Sequence, residues 1–210
     1  MKLVALAAAL FAGLLGLALG INSDWSVGID TAVAEWFDTH RTARRDHEER
    51  GVFRYIGSPV HVLVAALVIG AALSARSRSV LPILCVTGGV GIGAVVEGTL
   101  KAVVGRTATS GPLLHYPHSY PSGHVTGTTA LLGLTAVCLA AGQGRAVRAA
   151  LAAVVTAGVL TVAYLALYIG AHTLTDVIGG MLLGGSIVAA GAAVLAAAAR
   201  HPAATRAPAA

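Results

Sequence analysis

Two histidines and one aspartate in this sequence have the spacing and surroundings that catalysis requires. His172 and Asp176 are four residues apart, so on a helix their side chains lie on one face. A carboxylate that accepts a hydrogen bond from one imidazole nitrogen fixes the tautomer. The other nitrogen is then free to attack an electrophile or to transfer a proton. His124 follows Pro121-Ser122-Gly123 at the beginning of a long apolar run, beside any ligand bound there.

Pro121, Ser122 and Gly123 predict the beginning of a helix, with Ser122 as its N-cap. The free backbone N–H groups of a helix N-terminus, together with the positive end of the helix dipole, favour a bound anion. The sequence therefore predicts an anion-binding site at Ser122 and Gly123, with His124 in the first turn.

Two cations, Lys101 and Arg106, close the apolar run that precedes this motif. Their side chains could snorkel to the lipid headgroups, or they could form an electrostatic clamp on a phosphate. Taken alone, their position favours snorkelling. Glu97 lies one turn before Lys101 and could pair with it, which would hold the lysine in place.

The composition indicates that a membrane surrounds these residues. Apolar residues make up 56% of the 210 residues, charged residues make up 11%, and the mean hydropathy is +0.80. A soluble domain carries about 25% charged residues to cover its surface. This balance excludes a soluble enzyme and a disordered chain. The net charge of +5 comes without a basic stripe or an aromatic platform, so no nucleic-acid partner is expected.

Six apolar runs have the length of about 20 residues that a helix needs to cross a bilayer. They cover 3–20, 52–75, 80–104, 123–142, 148–170 and 173–199. We predict an all-α fold, a polytopic membrane helical bundle forming a single domain over 1–210 with its helical core at 52–199. The segment 1–20 also fits a cleaved secretory signal, which would leave five spans. The tail 200–210 is predicted to be disordered.

Positive charges orient the bundle, because short cytoplasmic loops carry an excess of lysine and arginine. One side of a six-span arrangement holds Lys2, Arg76, Arg78, Arg145, Arg148, Arg200 and Arg206. The other side, predicted to be extracytoplasmic, holds 21–51, 105–122 and the junction near His172. Ionisable groups beside membrane spans are costly. Their convergence on one face predicts a site between helices, at the outer surface of the cell membrane.

The extracytoplasmic segment 21–51 carries seven of the nine acidic residues and four arginines. Five apolar residues in it fall at helical spacing: Trp25, Ile29, Val33, Trp36 and Phe37. They could form the apolar face of a helix that lies on the membrane. A solvated connecting helix is the equally favoured alternative.

These motifs resemble those of the type 2 phosphatidic acid phosphatase (PAP2) superfamily, in its membrane-bound branch. Pro-Ser-Gly-His, the middle family motif, is intact at 121–124. The third motif keeps its histidine and aspartate as His172 and Asp176, and the first keeps its lysine as Lys101. The resemblance covers about 100–184, and the six-span layout matches it.

The resemblance implies a mechanism for the three central residues. His172 would attack phosphorus and form a phosphohistidine, while Asp176 orients the imidazole and stabilises its charge. His124 would protonate the leaving alkoxide and later activate water. This chemistry combines charge stabilisation with acid–base catalysis.

The resemblance also assigns the phosphate-binding residues and the substrate class. The non-bridging oxygens would be held by Lys101, Arg106, Ser122 and Gly123, with no metal and no cofactor. The substrate would be a lipid phosphate or diphosphate of the polyprenyl diphosphate, phosphatidic acid or phosphatidylglycerophosphate type. The sequence does not choose among these, nor does it give the oligomeric state.

Two departures from the family pattern leave a second function open. The family's arginines in the first and third motifs fall on Ala108 and Ala166 in this chain. Charge-assisted contacts are worth roughly 1.5–3 kcal/mol each, so their loss could weaken catalysis. The alternative is a catalytically weakened protein of this fold that binds lipid or acts as a membrane scaffold.

Overall fold

The computed structural model describes residues 1–106 and 119–200, which form eight helices and no strand. In chain order these are α1 (Lys2–Gly20), α2 (Asp24–His40), α3 (Ala43–Tyr55), α4 (Pro59–Ser77), α5 (Leu81–Val104), α6 (Gly123–Ala140), α7 (Arg145–Tyr168) and α8 (Leu174–Ala198). Six of them, α1 and α4 to α8, are long and apolar enough to cross a membrane. The predicted all-α membrane bundle is confirmed. Ala108 and most of the predicted disordered tail lie outside the described residues.

The predicted start of the second membrane span is wrong, because it lies several residues too early in the chain. It was expected from residue 52, but α3 continues to Tyr55 and α4 begins only at Pro59. Between them, Gly57 has a φ of +76°, a left-handed conformation that glycine adopts without steric cost. The ring of Pro59 fits the first position of a helix, where no N–H donor is needed. The chain therefore turns here, although its side chains are apolar.

Helix α6 is the central helix of the bundle, and it contacts α4, α5, α7 and α8. Glycines of α8 allow the closest approach. A Cβ on Gly184 would lie 2.5 Å from Cβ of Thr129, and one on Gly180 would lie 2.7 Å from the carbonyl oxygen of Ser122. Small residues of this kind permit close helix packing in lipid. The beginnings of α6 and α8 are thereby held side by side.

Helix α1 packs along α8 and is tied to the segment that precedes α6. Tyr120 is fully buried, and its hydroxyl donates a hydrogen bond of 2.8 Å to the carbonyl oxygen of Leu14. Burial raises the pKa of Tyr120 far above its usual range, and the nearby Asp176 carboxylate raises it further. The positive charge of Arg106 lowers this pKa, but by less. The hydroxyl therefore stays protonated and remains a donor.

Helix α2 packs against α7 and α8. Its buried residues are Ser26, Asp30 and Phe37, whereas three of the predicted apolar-face residues, Trp25, Ile29 and Trp36, are exposed. The expected apolar face is thus divided. Phe37 turns inward towards the rings of Tyr164 and Tyr168, and the two tryptophans turn outward. The segment that contains α2 is therefore part of the bundle.

Candidate active site

The site forms where the N-termini of α6 and α8 meet. Ser122 occupies the predicted N-cap position of α6, but its side chain makes no capping bond. Its Oγ is buried and has no partner among the described residues. The backbone N–H of Ser122 donates to the carbonyl oxygen of Asp176 at 3.0 Å, which joins the two helix beginnings directly.

His172 and Asp176 are in contact, as their spacing predicted. Nδ1 of His172 lies 3.4 Å from Oδ2 of Asp176, a carboxylate that is fully buried. His172 precedes α8, so a capping box rather than a shared helix face makes the contact. Oδ2 of Asp176 accepts the N–H of Thr173 at 3.1 Å, and Oγ1 of Thr173 accepts the N–H of Asp176. These bonds fix the carboxylate beside the imidazole.

Arg106 lies inside the protein rather than among lipid headgroups. Nη1 donates to Oγ1 of Thr175 at 2.5 Å and to Oδ1 of Asp176 at 3.0 Å, and Nη2 donates to Oδ2 of Asp30 at 2.5 Å. The side chain is 5% exposed. These three bonds use three of the five N–H donors of the guanidinium.

Asp30 was not identified from the sequence. Its Oδ1 accepts the backbone N–H of Thr175 at 2.9 Å, and its Oδ2 also accepts the Thr175 hydroxyl at 2.6 Å. The only sequence signal was its helical spacing from Ser26 and Phe37, which places all three on one face of α2. That signal does not single out Asp30 among the acidic residues of the segment.

Lys101 is held by the expected partner. Nζ of Lys101 lies 2.5 Å from Oε1 of Glu97. The same carboxylate packs against Gly123, the first residue of α6. The contact is so close that a Cβ on Gly123 would lie 2.5 Å from Oε1 of Glu97. The ion pair therefore brings the lysine to the N-terminus of α6.

His124, in the first turn of α6, stacks on Phe53 of α3, with ring centroids 4.1 Å apart and an interplanar angle of 18°. Two residues before His124, the N–H of Ser122 donates to the carbonyl oxygen of Asp176, and the adjacent Gly123 packs against the Glu97 carboxylate that binds Lys101. The first turn of α6, which carries His124, therefore lies beside the beginning of α8, next to His172, and beside Lys101.

Ala166 stands where the third family motif has an arginine, and its backbone has a structural role here. Ala166 is fully buried in α7. Its carbonyl oxygen accepts the N–H groups of Ala171 at 2.9 Å and of His172 at 3.2 Å. The backbone at this position therefore anchors the turn that carries His172.

Two cavities adjoin the site. A groove of about 190 Å³ runs between α4, α5 and α6, with apolar walls that include Val62, Leu63 and Val90, and it reaches Glu97 and Gly123. A second cavity, of about 20 Å³, lies between α2 and the turn before α8 and is lined by residues that include Asp30, Arg41 and His172. The second has room for about one water molecule.

Comparisons with known proteins identify the family and the fold of the chain. The family model described as the PAP2 superfamily matches residues 82–200. A crystal structure of a transmembrane PAP2-type phosphatidylglycerolphosphate phosphatase from Bacillus subtilis superposes with a TM-score of 0.78 at 21% sequence identity. The superposition covers 94% of this chain and 96% of the other. No curated protein matches the sequence. The six apolar helices make the chain a multi-pass membrane protein of this fold, and the family match shows that it belongs to the PAP2 superfamily.

Proposed function

We propose that the chain is a membrane lipid phosphatase that hydrolyses a phosphomonoester or diphosphate through a phosphohistidine intermediate. The observation that carries the proposal is the contact between Nδ1 of His172 and the buried Asp176 carboxylate, beside the N-terminus of α6 that carries His124. A histidine whose Nδ1 faces a carboxylate has its Nε2 lone pair available as a nucleophile.

In the first step Nε2 of His172 forms a bond to phosphorus, and the bond from phosphorus to the ester oxygen breaks. His124 gives its proton to the leaving oxygen, which belongs to an alkoxide when the substrate is a phosphomonoester and to a lipid phosphate when it is a diphosphate. In the second step His124 removes a proton from water, which attacks phosphorus, breaks the P–N bond and releases inorganic phosphate. Asp176 stabilises the positive charge that develops on the His172 imidazole in the first step.

The phosphate oxygens would be bound at the N-terminus of α6. Ser122 supports this assignment because its buried Oγ has no partner among the described residues, and Gly123 because it offers a backbone N–H. Lys101 supplies a cation next to Gly123 through its pairing with Glu97. Arg106 would contribute the N–H groups that its bonds to Asp30, Thr175 and Asp176 leave over.

A lipid substrate is supported by the apolar groove that ends at Glu97 and Gly123, because a lipid chain in that groove would place its headgroup at the phosphate site. The Bacillus subtilis protein of the same fold is a phosphatidylglycerolphosphate phosphatase. Phosphatidylglycerophosphate is therefore the first substrate to test. The arginines on the opposite side of the bundle support a position of the site on the extracytoplasmic face of the cell membrane.

The test is phosphate release by the purified protein in detergent, with EDTA present, from phosphatidylglycerophosphate, phosphatidic acid and a polyprenyl diphosphate. We expect His172→Ala to abolish release, and His61→Ala, at an exposed histidine of α4, to leave it unchanged. A phosphoenzyme trapped in the wild type should be stable in base, labile in acid and absent from His172→Ala. Full activity in His172→Ala would refute the mechanism.

A lipid-binding or scaffold protein is the second candidate. Two observations favour it: alanine occupies position 166, and Arg106 is bound by two carboxylates. This function predicts that the folded protein binds lipid phosphates in the same detergent but releases no phosphate from any of them.

A further inference from the structure

Asp30 connects the outer helix α2 to the beginning of α8. Its carboxylate is 4% exposed, and it accepts the backbone N–H of Thr175, the second residue of α8. That N–H belongs to the four at a helix N-terminus that have no partner within the helix. Asp176 serves the same end of α8 from within, through its bond to the N–H of Thr173. Two carboxylates, one of them from a distant segment, thus accept N–H groups at the N-terminus of α8.

Arg106 lies between these two carboxylates. One terminal nitrogen donates to Asp30 and the other to Oδ1 of Asp176, while Oδ2 of Asp176 faces His172. A buried charge is costly unless it is paired. With Asp30 present, the guanidinium charge is balanced by Asp30, and the negative charge of Asp176 remains available to the imidazole. Without Asp30, the positive charge of Arg106 would act on Asp176 alone.

We infer that Asp30 is a positioning residue for His172, acting through Arg106, Thr175 and Asp176. It balances the charge of Arg106 and fixes the first turn of α8, so that Asp176 keeps its place and its charge beside the imidazole. This inference rests on the proposed function. It makes α2, a helix of the outer segment, part of the catalytic apparatus.

The charged groups around His172 other than Asp30 and Arg106 stay unchanged in the tests of this inference, and the whole set is as follows. They come from four helices and the turn after α2: Asp176 of α8, Arg106 and Lys101 at the end of α5, His124 of α6, and Asp30, Asp38 and Arg41 at α2 and its end. Asp38 and Arg41 pair with each other at 3.0 Å, so their charges largely cancel.

The first test compares wild type with Asp30→Asn. Asparagine keeps the side-chain shape and the acceptor for the backbone N–H of Thr175, but it loses the charge and the Oδ2 acceptor for Arg106 and the Thr175 hydroxyl. We expect kcat to fall about 10- to 100-fold while KM changes by less than about threefold. We also expect the titration midpoint of the His172 imidazole, followed by NMR, to move to lower pH by about half a unit or more. The direction follows because a lost negative charge makes the imidazolium less favourable.

Charge-balanced variants keep the test decisive if Asp30→Asn does not fold. Arg106→Gln removes a positive charge and should move the His172 midpoint to higher pH. The double variant with Asp30→Asn and Arg106→Gln removes both charges and should return the midpoint to the wild-type value. A purely structural role for Asp30 would not produce these opposite shifts. Asp24→Asn, the same change at an exposed aspartate of α2, should leave both kcat and the midpoint unchanged.

Equal midpoints in Arg106→Gln and the double variant would overturn the inference, as would wild-type kcat and midpoint in Asp30→Asn. The NMR titration does not need turnover. A wild-type protein without phosphatase activity would therefore refute the proposed function, while the midpoints would still decide the role of Asp30.

Discussion

Adding one methyl group at Gly180 is expected to separate the two helix beginnings that form the site. A Cβ at this position would lie 2.7 Å from the carbonyl oxygen of Ser122, 3.0 Å from Cβ of Val125 and 3.2 Å from the backbone nitrogen of Thr126. Two of these three atoms belong to the backbone of the first turn of α6. A backbone atom cannot rotate away as the end of a long side chain can.

The size of the displacement follows from the first distance. Ordinary contact begins at 3.4 Å, so the Ser122 carbonyl would have to retreat from 2.7 Å by about 0.7 Å. Such a shift would lengthen the 3.0 Å bond from Ser122 N–H to the Asp176 carbonyl and move His124 away from His172. A misplacement near 1 Å can cost about 100-fold in rate. We expect Gly180→Ala to lower kcat about 10- to 100-fold and the free energy of unfolding by about 1–3 kcal/mol.

Gly185→Ala is the matched control on the same helix. Its Cβ would meet Cδ1 of Leu10 at 3.4 Å, an ordinary contact with the end of a flexible side chain. Phosphate release and thermal unfolding in detergent would be measured for both variants. A kcat for Gly180→Ala within twofold of the control would refute the argument that this glycine sets the spacing of the site.

Three further predictions follow from single contacts. Phe53→Ala removes the ring stacked on His124. Because an aromatic pair is worth about 0.5–1.5 kcal/mol, we expect kcat to fall about 2- to 10-fold in the phosphate-release assay. An unchanged rate would contradict a role for the stack. Tyr120→Phe removes the hydrogen bond to the Leu14 carbonyl, and it should lower the free energy of unfolding by about 1 kcal/mol without changing kcat, a result that denaturant titration would check. The hydrogen bond between Tyr120 and Leu14 also predicts that α1 is retained in the mature protein. The intact mass of the purified protein, measured by mass spectrometry, should therefore include residues 1–20. A mass without these residues would show that α1 is a cleaved signal.

The sequence was sufficient to predict the membrane helices because each is an uninterrupted apolar run of the required length. The exception shows the limit of that rule. Val52 and Phe53 are apolar and adjoin the second span, so composition alone includes them in it, but the turn at Gly57 and Pro59 assigns them to α3. Phe53 then packs against His124, a contact that no local pattern indicates.

The contact between His172 and Asp176 could be predicted because their spacing is local. Asp30 could not be predicted, because nothing in its neighbourhood distinguishes it from the other six acidic residues of the segment 21–51. Its burial depends on where α2 packs against α7 and α8, which is a property of the tertiary structure. For the same reason, the sequence could not show that Arg106 is bound between two carboxylates.

The packing of α1 against α8 joins two membrane helices that are synthesised far apart in time, with four other membrane helices between them in the described sequence. Until α8 leaves the ribosome, the surface of α1 that will contact it has only lipid or transient partners. The carbonyl of Leu14 meets Tyr120 earlier, but the ring of Tyr120 is covered only when Gly179 arrives beneath it. The carboxylate of Asp176 is installed during the same late event. A nascent chain that stops before α8 therefore carries His124, Lys101 and His172 without the carboxylate of Asp176, and the site becomes complete only when α8 has been synthesised.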